Sequence, residues 1–197
     1  MYYLCTQVNT TIKMKLSNIA EISIGVPISR YKYNPANDSK KISYSLFSQN
    51  MLSDTGMFQE FEAEIFFANK DLSNSCTQSG DVIFGLRAPN QAIYMATTQS
   101  LLVQSYMAII RCDTTKVLPE YLALKLNAQE IQNQLYKNIQ GGMIKLVQVQ
   151  NLRELSIELP SIKKQQQIVA IAQTGYQEIE VLKQLIEEKQ KILKAIV

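Results

Sequence analysis

The 197-residue chain contains no histidine. That removes the imidazole from its usual roles as triad base, proton carrier near neutral pH and metal ligand. Cysteine is scarce: Cys5, Cys76 and Cys112 lie far apart and form no CxxC pair. Neither a disulfide framework nor a zinc site is expected, and a reducing compartment suits them. Cys112 stands in an apolar stretch and reads as a small core residue. There is no GxGxxG string and no P-loop, nor the Asn/Asp-Pro-Pro-aromatic tetrad of amino-methyltransferase sites. No apolar run approaches the roughly 20 residues of a membrane span, and no charged start followed by an apolar stretch marks a signal peptide. The chain is read as soluble and cytoplasmic. Charged residues make up only 19% and the net charge is +3, a balance that permits nucleic-acid contact without demanding it.

Fragments that look catalytic have plainer explanations. Glu187-Glu188-Lys189 resembles a nuclease string but has no partner carboxylate on a strand, and reads as the charged face of a helix. Glu62 and Glu64 could pair on one strand face or bind magnesium, but alternate carboxylates on a strand are usually solvated.

Hydrophobic residues make up 46% of the chain, an ordinary globular share. Basic residues gather near the start: Lys13, Lys15, Arg30, Lys32, Lys40 and Lys41 face only Glu21 and Asp38. Residues 1–15 read as a disordered lead-in or an edge strand. In residues 16–25 (LSNIAEISIG), Ser17 or Asn18 can cap a short helical turn, with Ile19, Ala20 and Ile22 inward and Gly25 ending the element. Residues 26–41 carry prolines, asparagines and interleaved Arg30, Tyr31, Lys32 and Tyr33, which mark a loop. Residues 42–48 alternate as a strand, 58–68 are ambiguous, and 81–86, 92–98 and 101–112 read as strands. Residues 118–138 read as one helix with Pro119 in its first turn, stopped at Gly141-Gly142. A strand or loop, a short turn and a strand ending at Pro160 follow.

Residues 165–197 read as a long helix without proline. Ile168, Ala172, Gly175, Ile179, Leu182, Ile186, Lys189, Leu193 and Ile196 recur at alternating steps of four and three, with Leu185 and Ile192 widening the stripe. At 1.5 Å per residue this rod is roughly 45 Å long, too long to pack wholly on a globule whose radius of gyration is about 15 Å. The expected fold class is α+β: a mostly β domain with flanking helices over 1–160, then a coiled-coil-type helix over 161–197.

Four segments in order resemble the specificity subunits of type I restriction-modification systems. They are LSNIAEISIG (16–25), SGDVIFGLRAP (79–89), LPEYLALKLNAQEIQNQL (118–135) and IQGGMIKLVQVQNLRELSIELPSIKKQQQIV (139–169). The last carries the family's run of glycine, Ile-Lys, a Leu-rich turn, Leu-Pro and Gln-Gln-x-Ile. Two departures stand in it: Lys164 where the family often has an acidic residue, and Gly142-Met143 where Ser or Thr often follows the loop glycine. The resemblance implies a target-recognition domain with one spacer helix, half of a subunit that carries two of each. Two copies joined through antiparallel helices would restore the two-domain arrangement. They would read an interrupted palindrome, with half-site centres about 13 base pairs apart for a span near 45 Å. It also implies modification (methyltransferase) subunits that bring the S-adenosylmethionine site, and a restriction subunit that can join them. No cofactor is expected on this chain.

Double-stranded DNA needs phosphate contacts for hold and base-edge contacts for choice. The phosphate candidates are Lys32, Lys40, Lys41, Lys70 and Lys145; the base-reading candidates are Arg30, Arg87, Asn90, Gln91 and Gln140. Arg87, in a proline-stiffened turn at a strand end, is the best single choice. Gly141 and Gly142 either end a helix or let backbone approach DNA. The dimer-seam candidates are Ile179, Leu182, Leu185, Ile186, Leu193 and Ile196, with Gly175 and Lys189 able to set register; the companion helix could equally belong to a modification subunit. The resulting expectation is a non-catalytic, sequence-specific DNA-recognition subunit. The competing readings are an assembly protein using its heptad helix without DNA, and an enzyme fragment, which the missing catalytic motifs disfavour.

Overall fold

The computed structural model describes residues 11–58, 62–88, 90–137 and 146–196. Strand β1 (Ile12–Lys15) pairs antiparallel with the much later β9 (Ser156–Leu159), matching Ile12 to Leu159 and Lys15 to Ser156. This ribbon ties the early part of the chain to the start of the last helix. A single 3-10 turn, Leu16–Asn18, follows without a side-chain cap bond, so Ser17 and Asn18 do not cap it. Leu16 and Ile19 are buried, Ala20 only half-buried, and the segment turns directly into β2 (Ala20–Ile24).

The main sheet has the order β2-β8-β5-β6, with β5 (Asp81–Gly85), β6 (Ala92–Tyr94) and β8 (Met107–Cys112), every pair antiparallel. The central strands β5 and β8 are largely apolar on both faces because both faces are covered. Val82, Phe84, Ala108 and Ile110 point to one core, shared with Tyr121, Leu122, Leu126, Ile131, Leu152 and Ile157. Ile83, Met107 and Ile109 point to a second core, with Phe47, Met51, Leu101 and Val103. The period of two along each strand delivers alternate residues to the two layers.

That second layer rests on a smaller sheet, β4-β3-β7, with β3 (Ile42–Leu46), β4 (Ile65–Ala68) and β7 (Leu101–Leu102). The ambiguous run at 58–68 is therefore a strand from Ile65, antiparallel to β3. The expected continuous strand at 101–112 is two strands. A turn at Gln104 intervenes, where Met107 N–H donates to Gln104 O at 3.0 Å. Gly25 is required just here. Its N–H donates to Met107 O at 3.1 Å, and a Cβ on it would stand well inside contact distance of the Val103 and Gln104 carbonyl oxygens.

The helix expected over 118–138 is two helices, α1 (Pro119–Asn127) and α2 (Gln129–Lys137), broken by extended backbone at Ala128. Asn127 explains the break. Its Nδ2 donates to Ser53, Asp54 and Ala92 carbonyls at 3.2, 3.1 and 2.8 Å, and its Oδ1 accepts from Ala92 N–H at 2.7 Å. Those long-range bonds hold the end of α1 to the sheet edge, where α2 must change direction. A short helix α3 (Val149–Arg153) precedes β9.

The last helix, α4 (Ile162–Ile196), is 35 residues long. Its first turns are locked to the globule by Gln165, which is fully buried. Gln165 Nε2 donates to the Lys116 and Pro160 carbonyls at 3.0 and 2.9 Å, and Oε1 accepts from Leu118 N–H at 2.9 Å. One amide thus serves the entry of α1 and the entry of α4, and Val169 adds an apolar anchor. From Gln177 to Ala195 every residue is exposed. Among the described residues no helix is long and apolar enough to cross a membrane.

Candidate nucleic-acid interface

The candidate interface is built on the outer edge of β4. Residues 31–33 run antiparallel beside it: Tyr33 N–H donates to Phe67 O at 2.8 Å, Asn69 N–H to Tyr31 O at 2.9 Å, and Lys32 bridges to Ala68. The loop beyond is knitted by its own Asn and Asp. Asn34 Oδ1 accepts from Ala36 N–H, and Asp38 Oδ2 accepts from Asn34 N–H at 2.6 Å. Polar turn residues thus stiffen the basic segment from within, so its cations are presented on a framework with little freedom left to lose on binding.

Alternation along β4 buries Phe66 and Ala68 and turns Ile65 and Phe67 outward, 63% and 42% exposed. These side chains, with Tyr33, Pro35 and Tyr106, wall a groove of about 720 Å³. Lys32, Lys41, Gln104 and Glu64 also line it. Lys41 Nζ lies 4.1 Å from the Phe67 ring centroid and 5.7 Å from that of Tyr33, and Lys70 Nζ lies 4.1 Å from the Tyr31 ring. Arg87 stands over the Tyr106 ring at 5.2 Å. Burial raises the Tyr106 hydroxyl above its ordinary pKa, Arg87 opposes that rise and Glu64 adds to it. Arg87 and the basic loop, far apart in sequence, are thereby joined through one aromatic ring.

Four of the other cations are paired. Lys13 pairs with Glu158 at 3.8 Å, Lys15 with Glu154, Arg111 with Asp81 at 3.1 Å and Lys116 with Asp113 at 2.7 Å. Lys116, with help from Thr115, holds the Asp113 carboxyl down at about 2. Asp81 is buried inside the sheet, and that burial raises its carboxyl more than Arg111 lowers it. Arg153 donates to Ile22 O at 3.1 Å. By contrast Arg30, Lys32, Lys40, Lys41, Lys70 and Arg87 are exposed, and among the described residues none of them makes an ion pair. Lys40 is the least free of the six, since its charge helps lower the Asp71 carboxyl, after Ser73 and the Tyr44 hydroxyl.

Asn90 does not face outward and is corrected as a base-reading residue. It is 2% exposed, its Nδ2 donates to Gly85 O and its Oδ1 accepts from the Tyr136 hydroxyl, both at 2.9 Å. Gln132 holds its carbonyl at 2.8 Å. It pins the turn that displays Arg87 instead of reading DNA itself. Gln91 is half-buried and opens onto a separate polar hollow with Asp54, Gln129 and Gln132, sharing no lining residue with the groove. Gln140, Lys145, Gly141 and Gly142 lie outside the described residues. The nearest described point is Leu146, which bridges to Arg87. Tyr106 and Phe67 had not been singled out by sequence. Phe67 was detectable from the strand alternation, whereas Tyr106 is hidden in an apolar run. Cys112 packs against the main core, and burial pushes its thiol up to about 12.

The second candidate surface is the outer part of α4. Ile179, Leu182, Leu185, Ile186 and Leu193 are 48%, 50%, 49%, 56% and 64% exposed, and Ile192 is 54% exposed. The side chain of Ile196 lies outside the described residues. Ile179 also borders a hollow of about 250 Å³ formed with Met57, Phe58, Tyr176 and Lys183, so the seam begins where the helix leaves its own globule. A continuous apolar stripe of this length on a free helix marks a contact surface.

A family model described as type I restriction modification DNA specificity domain matches residues 13–190. Among solved structures, the chain is similar to the HsdS subunit from Thermoanaerobacter tengcongensis, at 18% identity and TM-score 0.68 over 92% of this chain and 46% of that one. It is similar to a chain from a structure on complex assembly and conformational transition of the type I R-M system, at 17% identity and TM-score 0.67 over 94% of this chain and 43% of that one. A third likeness is to the type I restriction-modification S subunit from M. genitalium, at 13% identity and TM-score 0.56 over 95% and 44%. At these identities the likeness is one of fold, and the chain spans a little under half the length of each. No curated protein sequence matches it.

Proposed function

The chain belongs to the type I restriction modification DNA specificity domain family, and on that premise we propose that it is a half-size specificity subunit. It recognises one half of a bipartite DNA target and directs partner methyltransferase and restriction subunits to it. Methyl transfer and cleavage belong to those partners, and S-adenosylmethionine to the modification subunit. The observation that carries this reading is the gathering of six exposed cations, Arg30, Lys32, Lys40, Lys41, Lys70 and Arg87, around the aromatic groove with none of them in an ion pair among the described residues, as a phosphate-binding surface requires. Arg87 is the guanine-reading candidate, Arg30 in the 3-10 turn Ile28–Tyr31 a second base-reading candidate, and Lys32, Lys40, Lys41 and Lys70 are the phosphate clamps.

A second copy of the chain covers the exposed stripe of α4, and the pair presents two identical readers related by a two-fold axis. Binding of the purified chain to random-sequence duplex tests the DNA half of this reading. With four phosphate-neutralising lysines a copy, the logarithm of affinity should fall against the logarithm of salt with a slope of about −4 per copy engaged. Binding that is absent, or indifferent to salt, would favour an assembly protein instead.

A further inference from the structure

The lysines of the groove supply hold, and they leave the side chains between them unexplained. Ile65 and Phe67, 63% and 42% exposed, belong to none of the three hydrophobic cores. Outside α4, among the described residues, they are the exposed large hydrophobic residues that share one face of one strand. Glu64 lines the same groove and makes no ion pair among the described residues. None of these three side chains suits a phosphate: two offer no donor, and the third carries the wrong charge. Resting on the DNA-recognition reading above, we infer that Ile65 and Phe67 are specificity-determining residues that meet the C5-methyl group of a thymine in the major groove.

The chemistry of the duplex narrows the choice. Base edges present hydrogen-bonding groups in both grooves, and the apolar exception is the methyl group of thymine in the major groove. An apolar pair set among phosphate-binding cations therefore has one apolar group to meet. The groove divides the work: Lys32 and Lys41 take phosphates, while the row on β4 faces base edges, where the Glu64 carboxylate accepts from a base amino group. Tyr106 lines this groove, and its ring centroid is 5.2 Å from the Arg87 guanidinium carbon. The thymine reader and the guanine-reading candidate thus stand on one surface.

Exposed apolar residues also serve DNA-binding proteins as stacking platforms and as wedges between base steps. Stacking needs an open ring, and Lys41 Nζ sits over the Phe67 ring at 4.1 Å. A wedge must move between bases, whereas β4 is held along both edges. One edge pairs with β3, and on the other Tyr33 N–H donates to Phe67 O. Ile65 is β-branched and stiff at its first torsion. A fixed apolar wall of this kind fits a methyl group by shape.

The test uses the full chain and a random-sequence duplex pool, from which the retained duplexes are sequenced to give the motif. Each thymine of the motif is then replaced by deoxyuridine, which lacks only the methyl group. One thymine in each half-site should respond, its methyl contributing about 4-fold to affinity. In Phe67→Ala that loss should vanish, and in Ile65→Thr, which keeps the β-branched shape, it should shrink. Both variants should keep the parent's unfolding midpoint and its affinity for random duplex, which the lysines set. A parent indifferent to the methyl at every thymine, or a motif without thymine, overturns this inference and leaves DNA recognition standing. A methyl effect that stays whole in both variants overturns the role of Ile65 and Phe67. A parent that enriches no sequence overturns the recognition reading and this inference together.

Discussion

Replacing Leu182 and Ile186 together by lysine should convert the proposed homodimer to a monomer without unfolding it. Both side chains are about half exposed on the isolated chain, so their loss takes little from the globule, and lysine is a good helix former. In the dimer the change is severe. Covering the exposed half of a Leu or Ile contributes about 1 kcal/mol, and the two-fold axis doubles each loss, for a total of about 4 kcal/mol. Four ammonium groups would also be gathered at one seam. A loss of about 4 kcal/mol corresponds to about 1,000-fold in dissociation constant, and the charges add to it. Light scattering should give the monomer mass with an unchanged far-ultraviolet spectrum. An unchanged dimer mass would mean that copies associate elsewhere.

Arg87→Ala should cost about 1–3 kcal/mol of specific recognition at each half-site. A two-fold complex uses it twice and the sites are far apart, so the losses add to about 2–6 kcal/mol. The backbone that carries Arg87 is held without its side chain: Leu86 N–H donates to Tyr106 O, Val147 N–H to Leu86 O, and Asn90 binds Gly85 O. The guanidinium carbon lies 5.2 Å from the Tyr106 ring centroid and Arg87 is exposed; a guanidinium held over a ring can keep its N–H donors for a base. The variant should keep its unfolding midpoint and much of its affinity for random duplex while discrimination collapses. Competition between target and scrambled duplexes measures this, and equal discrimination by variant and parent would remove Arg87 from base reading.

The turn that carries Arg87 shows how far sequence could reach. Arg87 and Asn90 stand in one turn and have equally plausible base-reading chemistry. Burial separates them, because Gly85, Gln132 and Tyr136 arrive from other elements to enclose Asn90. No local pattern announces that. The strands at β3 and β5 were legible because one alternates and the other is apolar between turn signals. The break between α1 and α2 was not, since it is made by Asn127 reaching residues 53, 54 and 92. The turn between β7 and β8 carries neither glycine nor proline; the glycine that permits it is Gly25, some 80 residues earlier. In the Gln-Gln-x-Ile string the motif was visible, but the buried lock made by Gln165 was not.

Exposure of the α4 stripe follows from the heptad and from helix length alone, and these were readable at once. The groove was half readable: the basic loop with its tyrosines was evident, whereas its opposite wall needed the small sheet to bring Phe67 and Tyr106 together. The proposed interface sits at that junction, where a local signal meets a partner supplied by topology.

The most direct test of the whole account is the methylation pattern laid down in cells that carry this chain with its modification partner as the sole specificity source. Two identical readers on a two-fold axis predict a motif of two inverted half-sites around a gap of fixed length. An asymmetric motif, or no motif, would contradict it.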